Sequence, residues 1–393
     1  MLRWSILTLA LLIAAPPPAQ AEQFATEARN AILVDMTSGA VLMEKDADVA
    51  VPPASMSKLM TVVMVFEALA SGRLSMDDEF VVSEKAWKKG GSKMFVKVGD
   101  RISISDLLRG IIVQSGNDAS IVVAEGLAGS EEEFARRMTL RARELGLRNS
   151  RFRDATGWSD EGHEMSVRDL ARLAEHIIRE YPQFYPIYSE ESFQWEGINQ
   201  RNRNPLLGLD LGADGLKTGH TEAAGYGLTG SAVKGDRRLI LVIAGLESAT
   251  KRSIEAERLI RWGFREFETK QLLPAGAEVG EAAVWIGAAP RVPLVVRDPV
   301  VMTTPFGDLR KVTGEITYPG PVEAPIAEGK QIATLLLSAP GINEVEVPLY
   351  AGVAVERGGM QEKLKAGALY LVETALAAMR PAPTPAPDAQ PTE

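Results

Sequence analysis

The sequence predicts an α+β domain followed by a small all-β sandwich domain. Two observations carry this. Residues 105–180 are mostly helical by pattern, and apolar runs of strand length lie before and after them. From about residue 270 the texture changes to short β-rich runs, with Pro and Gly at short intervals between them.

In order along the chain, 31–35 and 40–43 read as two strands joined by a Thr37-Ser38-Gly39 turn. Residues 56–69 are strongly apolar at helical spacing, and Ser71-Gly72 ends that run. Further helices are predicted over 104–113, 120–127, 131–145 and 167–180. The apolar runs 228–233 and 239–244 are split by Lys234-Gly235-Asp236, a hairpin signal. A helix over 253–267 follows. Short strands at 292–296, 331–337 and 345–349 then predict a β-sandwich over 269–357.

Both ends read as something other than folded domain. Arg3 precedes an apolar run over 6–15. Pro16, Pro17 and Pro18 break it, and Ala19-Gln20-Ala21 fits a small-x-small cleavage site. A signal peptide is therefore expected over 1–21, with the domain of 22–268 exported. Residues 358–380 are expected to form an amphipathic helix. Met360, Leu364, Leu371, Val372 and Met379 share one arc, and its charges suit lying on a membrane surface rather than crossing it. The Pro/Ala/Thr-rich residues 381–393 are expected to be disordered.

Composition excludes several chemistries. The chain has 393 residues and no cysteine, so thiol catalysis and cysteine-ligated zinc are out. Its three histidines, His163, His176 and His220, lack metal-ligand spacing. A net charge of −9 without a basic block argues against nucleic-acid binding.

Three short motifs carry the chemistry. Ser55-Met56-Ser57-Lys58 opens the first long helix. Residues three apart share a helix face, so the Ser55 hydroxyl and the Lys58 amine can meet. A serine needs a base, and a lysine serves only if its pKa is lowered by burial or nearby positive charge. A capping serine followed by a solvent lysine would read the same. Ser115-Gly116-Asn117 offers a second hydroxyl to relay a proton and an amide to hold substrate or lysine; taken alone it is an ordinary turn. Lys217-Thr218-Gly219 precedes the hairpin. On a strand edge it could pair with an extended peptide, with Lys217 as a fixed positive charge, Thr218 as a hydroxyl for a carboxylate and Gly219 open to close approach. The three occur together, in this order, 60 and 102 residues apart.

That combination resembles the penicillin-recognising serine enzymes. Longer blocks resemble the D-alanyl-D-alanine carboxypeptidases among them: Pro53-Ala54-Ser55-Met56-Ser57-Lys58, Gly91-Ser92-Lys93-Met94-Phe95, Gln114-Ser115-Gly116-Asn117-Asp118-Ala119, and Asp214-Gly215-Leu216-Lys217-Thr218-Gly219-His220-Thr221. The resemblance implies a penicillin-binding/β-lactamase-like transpeptidase domain, with an antiparallel sheet flanked by helices and a mostly helical subdomain. It implies acylation of Ser55 by a peptidoglycan stem peptide or a β-lactam. Lys58 and Ser115 would move the proton. Asn117, Lys217, Thr218, Gly219, His220 and Arg252 would bind substrate, Arg252 at the terminal carboxylate. Backbone N–H groups of Ser55 and near His220 would form the oxyanion hole. No metal or organic cofactor is implied. Thr156 departs from the pattern, because relatives often carry a histidine there, before the glycine equivalent to Gly157. Two alternatives share these motifs, an endopeptidase cutting peptidoglycan cross-links and a catalytically weak cell-wall-binding homologue. A class A β-lactamase is disfavoured, since Glu144 through Asn149 misses the ExxLN spacing by one residue.

Overall fold

The computed structural model describes residues 24–158, 161–360 and 364. The expected signal peptide, the expected tail, and the expected terminal helix over 358–380 apart from 358–360 and Leu364 lie outside these residues. The chain divides into two compact units, Met1–Glu268 and Thr269–Glu393.

The first unit opens with β1 (Asn30–Asp35) and β2 (Ala40–Lys45), a 3-10 turn at Ala54–Ser57, and α1 (Lys58–Ala70). Then come β3 (Glu79–Val81), α2 (Glu84–Lys88), β4 (Arg101–Ser103), α3 (Ile104–Ile112), α4 (Asn117–Ala128), α5 (Glu131–Glu144) and α6 (Val167–Glu180). A hairpin of β5 (Ser192–Trp195) and β6 (Ile198–Arg201) precedes β7 (Ala213–Thr221), β8 (Gly225–Lys234), β9 (Arg237–Leu246) and α7 (Ala249–Glu266).

β2-β1-β9-β8-β7 form one antiparallel sheet, with β7 at its edge. Strand side chains alternate between faces, and both faces are covered here. On β9, Ile240, Val242 and Ala244 join the core shared with the helical layer, whereas Leu239, Leu241 and Ile243 join the core under α7. α1 is apolar almost all round, so it is an interior helix. Its buried residues run from Lys58 through Ala68 and include Leu59, Met60, Val62, Val63, Val65 and Phe66. Burial of Lys58 follows from its place at the start of this interior helix.

Helix starts follow their caps. Ser103, Ser130, Ser166 and Ser248 each accept the backbone N–H three residues on, satisfying a donor that has no partner within the helix. Two starts fall earlier than the periodicity predicts. α4 begins at Asn117, directly after Gly116, and α7 begins at Ala249 behind its Ser248 cap. Arg252 thus lies in the first turn of a helix.

The second unit is all-β. It contains β11 (Glu278–Trp285), β12 (Arg291–Val296), β14 (Thr313–Thr317), β15 (Val322–Glu323), β16 (Gln331–Ser338) and β17 (Val345–Ala351), joined in the order β14-β16-β17-β12-β11-β15. β10 (Phe267–Leu273) and β13 (Val300–Pro305) form a two-stranded sheet. Val300 and Met302 share a core with Val292, Leu294, Leu335 and Leu349, which gives the expected sandwich. One pairing, β11 with β15, is parallel.

Candidate active site

The turn Ala54–Ser57 presents Ser55 at the start of α1. Ala54 adopts φ +49°, a backbone conformation unusual for a residue with a side chain and common at functional turns. Lys58 Nζ is fully buried and has three oxygen neighbours: Ser55 Oγ at 2.8 Å, Asn117 Oδ1 at 2.8 Å and the Thr156 carbonyl at 2.6 Å. Asn117 Nδ2 donates to the Gly90 carbonyl at 2.9 Å, so its Oδ1 is the atom turned to Lys58. Two of the three neighbours can only accept. A neutral lysine has two N–H donors and one lone pair, so its lone pair is left for the Ser55 hydroxyl.

The electrostatics favour that neutral form. Burial pushes Lys58 down to about 7, and Arg203 and Lys89 push the same way, while Asp154 and Asp118 oppose them. At neutral pH a substantial fraction of Lys58 is therefore an unprotonated amine beside the serine.

Asp154 organises the loop that carries the Thr156 carbonyl. Its Oδ1 accepts from Thr156 N, from Thr156 Oγ1 at 2.7 Å and from Gly157 N at 2.7 Å, and its Oδ2 lies 3.2 Å from His163 Nδ1. Burial opposes ionisation of Asp154. The hydrogen bonds from His163 and Thr156 outweigh it and hold the carboxyl well below the usual carboxylate range. Gly157 must be glycine. At φ +73°, a Cβ would stand 2.0 Å from the Ala54 carbonyl oxygen and 2.3 Å from Ser57 Oγ.

Ser115 sits between α3 and α4 at φ +59° and is buried. Lys217, on edge strand β7, donates to Ser115 Oγ at 2.9 Å and to the Thr218 carbonyl at 3.2 Å. Among the described residues no hydrogen bond joins Ser115 to Lys58, so the site holds two serine–lysine pairs rather than one continuous chain. Burial, then the cations Lys58, Arg203 and Arg252, push the Lys217 pKa well below the usual lysine value, and an anion beside it would favour the charged form.

Gly219 also acquires a different reason. A Cβ there would lie 2.8 Å from the Pro53 carbonyl oxygen and 3.1 Å from Met56 Cγ. Its smallness lets β7 close onto the Ser55 turn. Thr218 is buried alongside, and His220 is exposed and stacks on Tyr226 with ring centroids 3.8 Å apart.

A groove of about 600 Å³ opens on Ser55 and is lined also by Ser92, Asn117, Trp158, His220 and Thr221. Arg252 does not line it. Its guanidinium lies 5.8 Å from the centre of Tyr226, the ring on which His220 stacks; it is buried, its Nε has no hydrogen-bond partner, and burial lowers its pKa.

The structure thus brings Ser55, Lys58, Ser115, Asn117, Lys217, Thr218, Gly219 and His220 to one locus and sets Arg252 one ring away. Sequence reasoning missed the support around them. Asp154 carried no motif signal, and Thr156 acts through its carbonyl, which any residue supplies. Arg203 donates to Ser92 Oγ and adds positive charge near both lysines. Asn202-Arg203-Asn204 is one of the blocks that resemble the D-alanyl-D-alanine carboxypeptidases, but that resemblance assigned Arg203 no role.

Comparison with known proteins agrees with this geometry. A family model described as D-alanyl-D-alanine carboxypeptidase matches residues 17–248, and one described as penicillin-binding protein 5, C-terminal domain, matches residues 267–357. The chain is 38% identical over 341 residues to the D-alanyl-D-alanine carboxypeptidase DacD of Escherichia coli, covering 85% of this chain and 88% of that one. It superposes on penicillin binding protein 5 from Haemophilus influenzae with a TM-score of 0.79 and 34% identity, covering 88% of this chain and 100% of that one. Penicillin-binding protein D2 from Listeria monocytogenes, solved in an ampicillin-bound form, matches with a TM-score of 0.57 and 29% identity over 62% of this chain and 100% of that one. The match spans both units and leaves the motif order intact: the chain belongs to the D-alanyl-D-alanine carboxypeptidase family of penicillin-binding proteins.

Proposed function

We propose that this serine D-alanyl-D-alanine carboxypeptidase removes the terminal D-alanine of peptidoglycan stem peptides through an acyl-enzyme on Ser55. The observation that carries the assignment is the 2.8 Å contact between Ser55 Oγ and a buried Lys58 amine whose pKa is about 7. Ser55 Oγ attacks the carbonyl of the penultimate D-alanine while its proton passes to the Lys58 lone pair. The oxyanion is held by the backbone N–H groups of Ser55 and of the β7 edge near His220. As the C–N bond breaks, the departing amine takes, through Ser115, the proton that Lys58 accepted from Ser55, which returns Lys58 to its neutral form. Water, deprotonated by Lys58, then cleaves the ester and regenerates the serine. Lys217 and Thr218 receive the terminal carboxylate, with Arg252 behind them. A β-lactam acylates the same oxygen.

Ser55→Ala is expected to abolish both D-alanine release and penicillin labelling while the fold persists. An intact-mass penicilloyl adduct on Ser55→Ala would overturn the assignment. Release of free D-alanine, against release of cross-linked halves, separates carboxypeptidase from endopeptidase action.

We further infer that the enzyme is exported by residues 1–21 and works in the periplasm, against the outer face of the cytoplasmic membrane. Among the described residues no helix is long and apolar enough to cross a membrane. Met360 and Leu364, on the apolar arc, are 75% and 69% exposed and so available to a lipid surface. Fractionation of a chain ending at Gly358 beside the full chain tests this; equal solubility, with neither form binding anionic liposomes, rules out the anchor.

A further inference from the structure

A cleft of about 850 Å³, larger than the groove at Ser55, lies between α5 and the loop after it. Five arginines line it: Arg136 and Arg143 from α5, and Arg148, Arg151 and Arg153 from the loop. Only Arg136 has a carboxylate partner, a two-pronged pair with Glu133 at 2.7 Å, and it shares that carboxylate with Arg137. Among the described residues the side chains of Arg143, Arg148, Arg151 and Arg153 have no carboxylate partner and no hydrogen bond. Most arginines elsewhere in this unit have a carboxylate within reach, as Arg101, Arg109, Arg141, Arg168, Arg179, Arg237, Arg238 and Arg261 do. Glu132 is engaged by Lys85 at 2.8 Å, which leaves Glu164 as the one other acid lining the cleft among the described residues.

This concentration of positive charge stands against the composition. The chain carries a net charge of −9, yet residues 136–153 hold seven arginines against one acid, Glu144, and the fold turns five arginines of this stretch into one cleft. Like charges gathered in one cleft repel and give up carboxylate pairs they could have made, so an external anion would stabilise the arrangement. A guanidinium presents a planar fork suited to phosphate or carboxylate oxygens. Arg136 and Arg143 are seven residues apart on a helix, about 10 Å along its axis, so one small ion cannot span the cleft.

We propose that this cleft binds an anionic polymer bearing repeated phosphate or carboxylate groups, at a site separate from the Ser55 groove. Arg153 immediately precedes Asp154, so a polymer held here lies on the same loop that positions the Thr156 carbonyl.

The test is binding of purified full-length protein to three probes at low and physiological salt: short linear polyphosphate, poly-L-glutamate and orthophosphate. At least one polymer is expected to bind, weakening steeply with salt as released counterions are replaced. Polyphosphate alone would identify phosphate as the recognised group, and poly-L-glutamate alone would identify carboxylate. Arg143→Gln/Arg148→Gln/Arg151→Gln is expected to lose about ten-fold or more in affinity. The control Arg101→Gln/Arg261→Gln/Arg265→Gln removes the same charge from exposed positions elsewhere and should stay within about two-fold. Matched melting temperatures exclude misfolding. The proposal is overturned if neither polymer binds, if orthophosphate binds as tightly as the polymers, or if both triple variants lose affinity equally.

Discussion

The Thr156 carbonyl oxygen lies 2.6 Å from Lys58 Nζ, while the Thr156 hydroxyl donates to Asp154 Oδ1 at 2.7 Å. One residue therefore ties the proposed base, Lys58, to a buried carboxylate. The carbonyl can only accept, so it keeps one lysine N–H occupied in either protonation state and helps turn the lone pair toward Ser55.

In the proposed mechanism acylation needs neutral Lys58, and burial lowers its pKa to about 7. The neutral fraction grows as pH rises through that value. The acylation rate is therefore expected to climb about ten-fold per pH unit below 7 and to level off above it. Lys58→Arg keeps the charge but cannot lose a proton, and it should acylate negligibly at every pH. Stopped-flow penicillin acylation across pH measures both. A flat profile, or near-normal acylation by Lys58→Arg, would place the base elsewhere.

Asp154 acts on Lys58 in two ways with different signatures. Its charge raises the Lys58 pKa, and its hydrogen bonds hold the loop. Asp154→Asn removes the charge, so the midpoint of the acylation profile should move to lower pH. The plateau should also fall, by about ten-fold, as the loop loses its charged acceptor. A plateau loss without a midpoint shift would mean that Asp154 only braces the loop.

Much of this site was legible because its chemistry sits in side chains at set spacings. Ser55 and Lys58 could be paired on one helix face from the sequence, and the lysine's burial follows from the apolar texture of 56–69. What the sequence hid lies in backbone atoms and long-range closures. The Thr156 carbonyl reaches Lys58 across 98 residues, and Lys217 reaches Ser115 across 102. The requirement for glycine at 157 and 219 was hidden too, because it comes from the chain's own Ala54 and Pro53 carbonyls, which composition cannot place. The β5–β6 hairpin was missed for a local reason. Its turn places Glu196 at φ +47° before Gly197, and a glutamate is a weak turn signal.

Arg252 is proposed to stand behind the carboxylate site, and its surroundings make its test specific. Its Nε is buried without a partner, its guanidinium faces Tyr226, and Tyr226 stacks on His220 at the groove wall. A buried arginine with unused donors is costly to keep unless something occupies them, and a terminal carboxylate is of the right charge and shape. Arg252→Ala is therefore expected to raise KM for a peptide ending in free D-alanine by roughly ten- to hundred-fold, the worth of a charged hydrogen-bonded contact. The loss is partly offset, because Arg252 also depresses the Lys217 pKa; without it Lys217 holds its proton more readily and can still meet the carboxylate. A peptide with an amidated C-terminus has no carboxylate to lose, so the variant should treat it much as the parent does. The melting temperature controls for the helix start at α7, where the Ser248 cap remains in place. Equal losses on both peptides would show that Arg252 supports the Tyr226–His220 wall and does not recognise the carboxylate.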